Sequence, residues 1–281
     1  MLIWGTTWLA ITYQLGPVAP EVSVSHRFLL AAAVIAAWCR LRGLPLRFKP
    51  AEHAALALMG IALYGISYIF VYHAELHVAS GLVAIGYSAS PLLSALGARF
   101  FFGQAVTARM AFGSTFGILG ISLVYWPEFA QLAEHRNVAL GALFTVLAVL
   151  VSTVGGLLAQ RNHQRNLHGW PTMAWSMGYG ALASLVIALA LGRPYTIDLG
   201  APYLPSLLYL ALLGTVIAFA GWLTLVGRIG APRASYVGVM APVMALFVST
   251  LFEGFQWHAL TVAGVAVSIA GNVLVLGGIK R

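Results

Sequence analysis

Charge is what this sequence has least of. Only 8% of its 281 residues are Asp, Glu, Lys or Arg, against roughly a quarter in a soluble domain. A soluble fold needs charge to cover its surface, so the scarcity excludes one. Acids are the scarcer kind, 7 against 15 basic residues, and none falls in the middle of an apolar run. Cysteine occurs once, at Cys39, which excludes an internal disulfide and a cysteine-built zinc site. No paired acidic motif, phosphate-cradling glycine loop or plausible Ser–His–Asp set is present, which argues against an enzyme and any cofactor.

What is present is apolar: 60% of residues are hydrophobic and the mean hydropathy is +0.90. The runs are long and continuous, as from Phe28 to Trp38, and do not alternate as barrel strands would, so they predict helices. The fold class expected is an all-α integral membrane protein with about ten transmembrane helices. They fall at about 1–15, 21–39, 54–73, 79–98, 110–126, 139–160, 170–191, 203–225, 234–252 and 259–278. The first is short, roughly 22 Å of helix against a hydrocarbon core of about 30 Å, so its start is trimmed or residues precede it. It lacks the basic region and cleavage site of a signal peptide.

The basic residues sort by loop. Arg40, Arg42, Arg47, Lys49, Arg99, Arg109, Arg161, Arg165, Arg228, Arg233, Lys280 and Arg281 fall on one side; Arg136 and Arg193 fall on the other, and Arg27 is within a span. The acids mirror this, with Glu21, Glu75, Glu128, Glu134, Asp198 and Glu253 opposite the basic side and only Glu52 on it. The positive-inside rule then places both termini in the cytoplasm. The basic excess encodes topology and implies no nucleic acid.

A shift of 151 residues lays Pro91 on Pro242, Gly113 on Gly264, Gly120 on Gly271 and Leu123-Val124 on Leu274-Val275. Five helices separate the matched positions, an odd number, so matched helices run in opposite directions. Two inverted five-helix repeats, 1–126 and 139–281, are therefore expected, with the site between them near the midplane.

Several segments together carry a family resemblance. They are Trp4-Gly5-Thr6, Arg27-Phe28 before small residues, Tyr64, Tyr68 and Tyr72, Ala79-Ser80-Gly81-Leu82, Pro91, the Gly103 corner and the glycines of the fifth helix. The chain resembles the drug/metabolite transporter superfamily, in its branch of ten-helix bacterial exporters, and within that the exporters of aromatic and other hydrophobic amino acids. The resemblance implies a multi-pass protein of the cell inner (plasma) membrane. The corner after the fourth helix often carries Gly-Glu in this superfamily. Here it is Gly103-Gln104, so that glutamate's role is absent or taken by Glu253.

Candidate substrate-binding residues follow from depth and type. Tyr64, Tyr68 and Tyr72 form one stripe on the third helix. Tyr72 suits the interfacial aromatic belt, while Tyr64 and Tyr68 lie deeper and should face the interior. Trp8, Thr7, Tyr87, Ser88, Trp175 and Tyr179 sit at comparable depths. The two readings are packed aromatics with satisfied hydroxyls, or an uncharged aromatic cavity suited to a zwitterion with an apolar side chain. Arg27 either snorkels or attracts a substrate carboxylate at the external mouth.

His73 and His77 stand at zinc-like spacing, but Glu75 is out of place for a His-Glu-x-x-His site, so no metal is expected. Pro91 and Pro242 are candidate hinges. Gly113-x-x-x-Gly117 and Gly264-x-x-x-Ser268 suit close helix packing within the chain or in a homodimer, leaving a monomer or homodimer open.

The function expected is export of small neutral metabolites, aromatic or other hydrophobic amino acids, by alternating access. Proton-coupled carriers relay through buried Asp, Glu or His. With no mid-membrane acid and only His73 as a proton carrier, substrate is expected to run down its own gradient. The alternatives are a nucleotide-sugar or organic-anion carrier, which needs basic residues at mid-depth, and a membrane-embedded enzyme.

Overall fold

The computed structural model describes residues 2–105, 108–130, 136–235 and 240–276. Its helices, in chain order, are α1 (Leu2–Thr12), α2 (Pro20–Leu41), α3 (Pro50–Glu75), α4 (Ser80–Phe102) and α5 (Ala108–Ala130). Then follow α6 (Arg136–Gln164), α7 (Trp170–Ala190), α8 (Tyr203–Ile229), α9 (Met240–Phe252) and α10 (Ala259–Leu276), with one helical turn, Ala231–Ala234, ahead of α9. Among the described residues α2, α3, α4, α6, α7 and α8 are long and apolar enough to cross a membrane. α5 and α10 hold shorter apolar stretches, Thr115–Val124 and Ala259–Gly271, and no strand occurs among the described residues.

Local chemistry sets the helix ends. Pro20, Pro50 and Pro171 occupy first turns, where a missing N–H leaves no bond unmade. Gly103 and Gly254, 151 residues apart, have φ of 65° and 69°, the left-handed backbone that glycine adopts without strain when it ends a helix. Leu29, Val34, Leu182, Val186, Phe247 and Val262 point outward, a face that suits lipid and not water.

Helices approach closely where side chains are absent. A Cβ on Gly60 of α3 would overlap the backbone carbonyl of Ser176 on α7. Between α5 and α10, Gly120 lies against the Gly264 carbonyl, and Gly271 against that of Gly113. These contacts are reciprocal: the shift that relates Gly113 to Gly264 and Gly120 to Gly271 exchanges one contact for the other, as a two-fold relation does.

Two features depart from uninterrupted helices. α3 contains a π-helical turn at Ile61–Ile66, and α8 one at Leu212–Ile217, again 151 residues apart. Such turns widen the helix and redirect its carbonyls, often at functional sites. In α4 the turn Tyr87–Ala89 tightens to 3-10 immediately before Ser90-Pro91, where the proline ring lacks an N–H and crowds the preceding turn. Pro242 lies within α9.

The acids and Tyr72 sit deeper than expected. Glu21 and Glu75 occupy end turns of α2 and α3 but are only 1% and 8% exposed. Tyr72 is fully buried and donates to Gln14 Oε1 at 2.9 Å, so it is not a belt residue. Lys280, Arg281, Glu134 and Met1, on which part of the topology expectation rests, lie outside the described residues.

Candidate functional site

A cavity of about 130 Å³ lies between α1, α3, α4, α6 and α8. α1 supplies Trp4, Thr7, Trp8 and Ile11, whose spacing puts them on one helical face. α3 adds Leu63, Tyr68 and Val71, and α4 adds Ala84, Tyr87, Ser90 and Ser94. Ser152, Thr153 and Gly156 come from α6, Phe219 and Trp222 from α8; Ser235 and Ala241 complete the wall.

The π-turn of α8 anchors this wall. Trp4 Nε1 donates to the Gly214 carbonyl at 3.2 Å, and Arg27 Nε donates to Thr215 Oγ1 at 2.9 Å. Rings then pack edge to face: Trp4 on Phe219 with centroids 5.4 Å apart, Tyr64 on Phe219 at 5.0 Å, and Phe28 on Tyr68 at 4.9 Å. Such pairs add stabilisation of about 0.5–1.5 kcal/mol each beyond burial.

None of the described lining residues is an Asp, Glu, Lys, Arg or His. Two donors in the wall, Trp8 Nε1 and Ser90 Oγ, have no protein partner. An indole N–H can only donate, so Trp8 Nε1 is a donor left without an acceptor inside the protein.

The sequence candidates separate into groups. Thr7, Trp8, Tyr68 and Tyr87 line the cavity. Arg27 stands one layer behind. It is 1% exposed, with its guanidinium carbon 4.6 Å from the Tyr68 ring centroid and 5.3 Å from that of Phe28. Tyr64 is fully buried behind the wall, its hydroxyl unpartnered. Ser88 is buried in the 3-10 turn, and Pro91 follows the cavity residue Ser90.

Trp175 and Tyr179 sit elsewhere, with Trp175 Nε1 on the Leu46 carbonyl at 2.9 Å and the Tyr179 hydroxyl 2.9 Å from His53 Nδ1. His73 Nε2 lies 2.7 Å from Glu21 Oε1, on the rim of a separate cavity that includes Arg193. A further cavity, toward the end rich in basic residues, holds His163, His168 and Arg228. Sequence reasoning did not assign Ser90, Ser94, Phe219, Trp222 or Ser235 to a site; the i, i+3 pair Phe219 and Trp222 was the available signal for α8.

Two acids stand near the start of α4, Glu253 bonded to Ser80 and Glu75 five residues before it. Glu253, just beyond α9, accepts from Ser80 N at 3.3 Å and Ser80 Oγ at 2.6 Å, and also from Ser249 Oγ. Ser249 Oγ in turn accepts from Gly81 N at 2.9 Å. Glu75 has no hydrogen-bond partner on either oxygen. The expectation of uncoupled transport rests on there being no mid-membrane acid; Glu75, in the last turn of α3, is nonetheless a buried one.

The sequence profile of the EamA-like transporter family matches this chain over residues 1–126 and 139–277. An uncharacterized transporter of Archaeoglobus fulgidus is 23% identical over 274 residues, 97% of this chain and 94% of its own length. A protein of Escherichia coli named as a probable amino-acid metabolite efflux pump is 21% identical over 100% of this chain and 93% of its own; its namesake from Salmonella typhimurium is 24% identical with the same coverage. One crystal structure superposes on 97% of this chain and 92% of its own with a TM-score of 0.75 at 18% identity, a likeness of fold.

Proposed function

The chain belongs to the EamA-like transporter family and is a multi-pass membrane transporter; we propose that it exports aromatic and other hydrophobic amino acids from the cell across the inner membrane. One observation carries this reading: the cavity wall is aromatic and hydroxylic, without a charged side chain among the described residues. A zwitterion brings no net charge into such a site. Its carboxylate accepts from Trp8 Nε1 and Ser90 Oγ, the two unpartnered donors. Its ammonium group faces the rings of Tyr68, Phe219 and Trp222, an attraction worth about 2 kcal/mol when desolvated. A sugar phosphate or nucleotide sugar would bring about two negative charges to a wall with no cation among its described residues. The amino-acid efflux names of the two bacterial relatives agree with this substrate class.

Transport proceeds by alternating access between two inverted five-helix repeats, 1–126 and 139–281, with both termini cytoplasmic. The paired π-turns, the paired left-handed glycines and the reciprocal glycine contacts of α5 and α10 support that reading. The 3-10 turn before Pro91 and the matching segment at Pro242 are the hinges. The cavity residues Tyr87 and Ser90 flank the first of these, so hinge motion alters the site itself.

Counterflow by the purified protein in liposomes tests the substrate class. Preloaded vesicles are expected to exchange radiolabelled phenylalanine, tyrosine, tryptophan and leucine, and not sugar phosphates. Exchange of sugar phosphates with no amino acid exchanged would overturn the proposal.

A further inference from the structure

We propose that Glu75 is the proton-carrying group of this transporter, so that export is exchanged for protons and is not purely downhill. The inference rests on the transport reading above and adds its energy source. Glu75 is 8% exposed and neither carboxyl oxygen has a hydrogen-bond partner. A buried carboxylate without a partner is costly, and the group is held more cheaply as the neutral acid; contact with water reverses that preference. Alternating access supplies both environments.

Position links the group to substrate. Tyr68, Val71 and Glu75 follow the i, i+3, i+7 spacing of one face of α3, and the first two line the cavity. Glu75 therefore stands at one end of the wall, beside the contact of α4 with Glu253. The two carboxyl groups are unequal. Glu253 is fixed as an acceptor by Ser80 and Ser249, and Glu75 is left without donors.

The charged and titratable groups that act on Glu75 are Arg27 of α2, Glu253 beyond α9, Tyr72 of α3 and Tyr87 of α4. α1 and residues 138–160 of α6, which also pack on this end of α3, carry no ionisable side chain. His73, two residues before Glu75, is engaged by Glu21. In the outward-open state Glu75 takes a proton from external water. In the inward-open state it releases that proton to cytoplasmic water as substrate binds.

The test pairs wild type with Glu75→Gln. In liposomes made one pH unit more acidic inside, with the membrane potential clamped at zero by potassium and valinomycin, exchange of one proton per neutral substrate holds about a tenfold internal accumulation of phenylalanine. Wild type is expected to approach this, and Glu75→Gln, shown to be folded by its Tm in detergent, to stay near unity. Accumulation equal in both proteins, or wild-type counterflow indifferent to the pH gradient, would overturn the proposal.

A readout without substrate separates the two readings: infrared difference spectra with pH are expected to show a protonated carboxylic-acid C=O band in wild type and to lose it in Glu75→Gln. If no amino acid exchanges but that band is lost, the substrate assignment fails and the proton site stands. If the band is identical in both proteins, the proton site fails.

Discussion

The guanidinium carbon of Arg27 lies 4.6 Å from the centroid of the Tyr68 ring, and the same ring forms part of the cavity wall. Arg27, the arginine buried in the aromatic cluster among the described residues, thus acts on the cavity through a tyrosine. Tyr68→Ala removes the ring and is expected to cut counterflow more than tenfold, from a cation–π and packing loss of about 2 kcal/mol. Tyr68→Phe keeps the ring and should retain most activity. Normal counterflow in folded Tyr68→Ala protein would remove Tyr68 from the site.

Arg27→Gln separates the two roles of the guanidinium. If its field reaches the substrate carboxylate, phenylalanine exchange weakens while phenylethylamine, which lacks the carboxylate, is unaffected. Equal loss of both assigns Arg27 to positioning Tyr68. Thr215→Val is the structural companion: it strips the acceptor from Arg27 Nε and should cost roughly 1.5–3 kcal/mol, read as a lower Tm in detergent.

Trp8→Phe deletes a donor that has no partner inside the protein. Its stability should be unchanged or slightly higher. Its affinity for amino acids should fall by about ten- to a hundredfold, the range for a hydrogen bond to a charged group. Unaltered affinity, measured by isothermal calorimetry, would place the substrate carboxylate elsewhere.

Gly60→Ala tests the close packing of α3 on α7. The added methyl meets the Ser176 backbone, and overpacking of this kind costs about 1–3 kcal/mol. Gly221→Ala in α8 is the control, because nothing lies within 4 Å of its Cβ position. It should be neutral or up to about 1 kcal/mol stabilising. A thermal-shift comparison of the two variants decides.

Helix positions were legible because charge and glycine interrupt the apolar runs: Arg40 to Lys49 closes α2, and Gly103 and Gly254 each follow a helix end with left-handed backbone. The π-turns were not, since residues 61–66 and 212–217 are ordinary apolar sequence. Depth along a helix was only partly readable from span position. Trp175 and Tyr179, expected at the depth of the cavity residues, lie level with Leu46 and His53, and His53 is ten residues before Leu63, the first α3 residue of the cavity wall. Glu75 read as a loop acid because it ends an apolar run. Its burial comes from tertiary packing at that end, which the sequence pattern does not reveal.

Trp4, Trp8 and Trp222 line the cavity, so a ligand there perturbs tryptophan emission directly. Titrating purified protein with phenylalanine, leucine, glucose 6-phosphate and a nucleotide sugar is the most direct test of the substrate site. The account predicts a saturable emission change with the two amino acids that is lost in Tyr68→Ala, and none with the phosphorylated ligands. A saturable response to a phosphorylated ligand, with none to either amino acid, would contradict it.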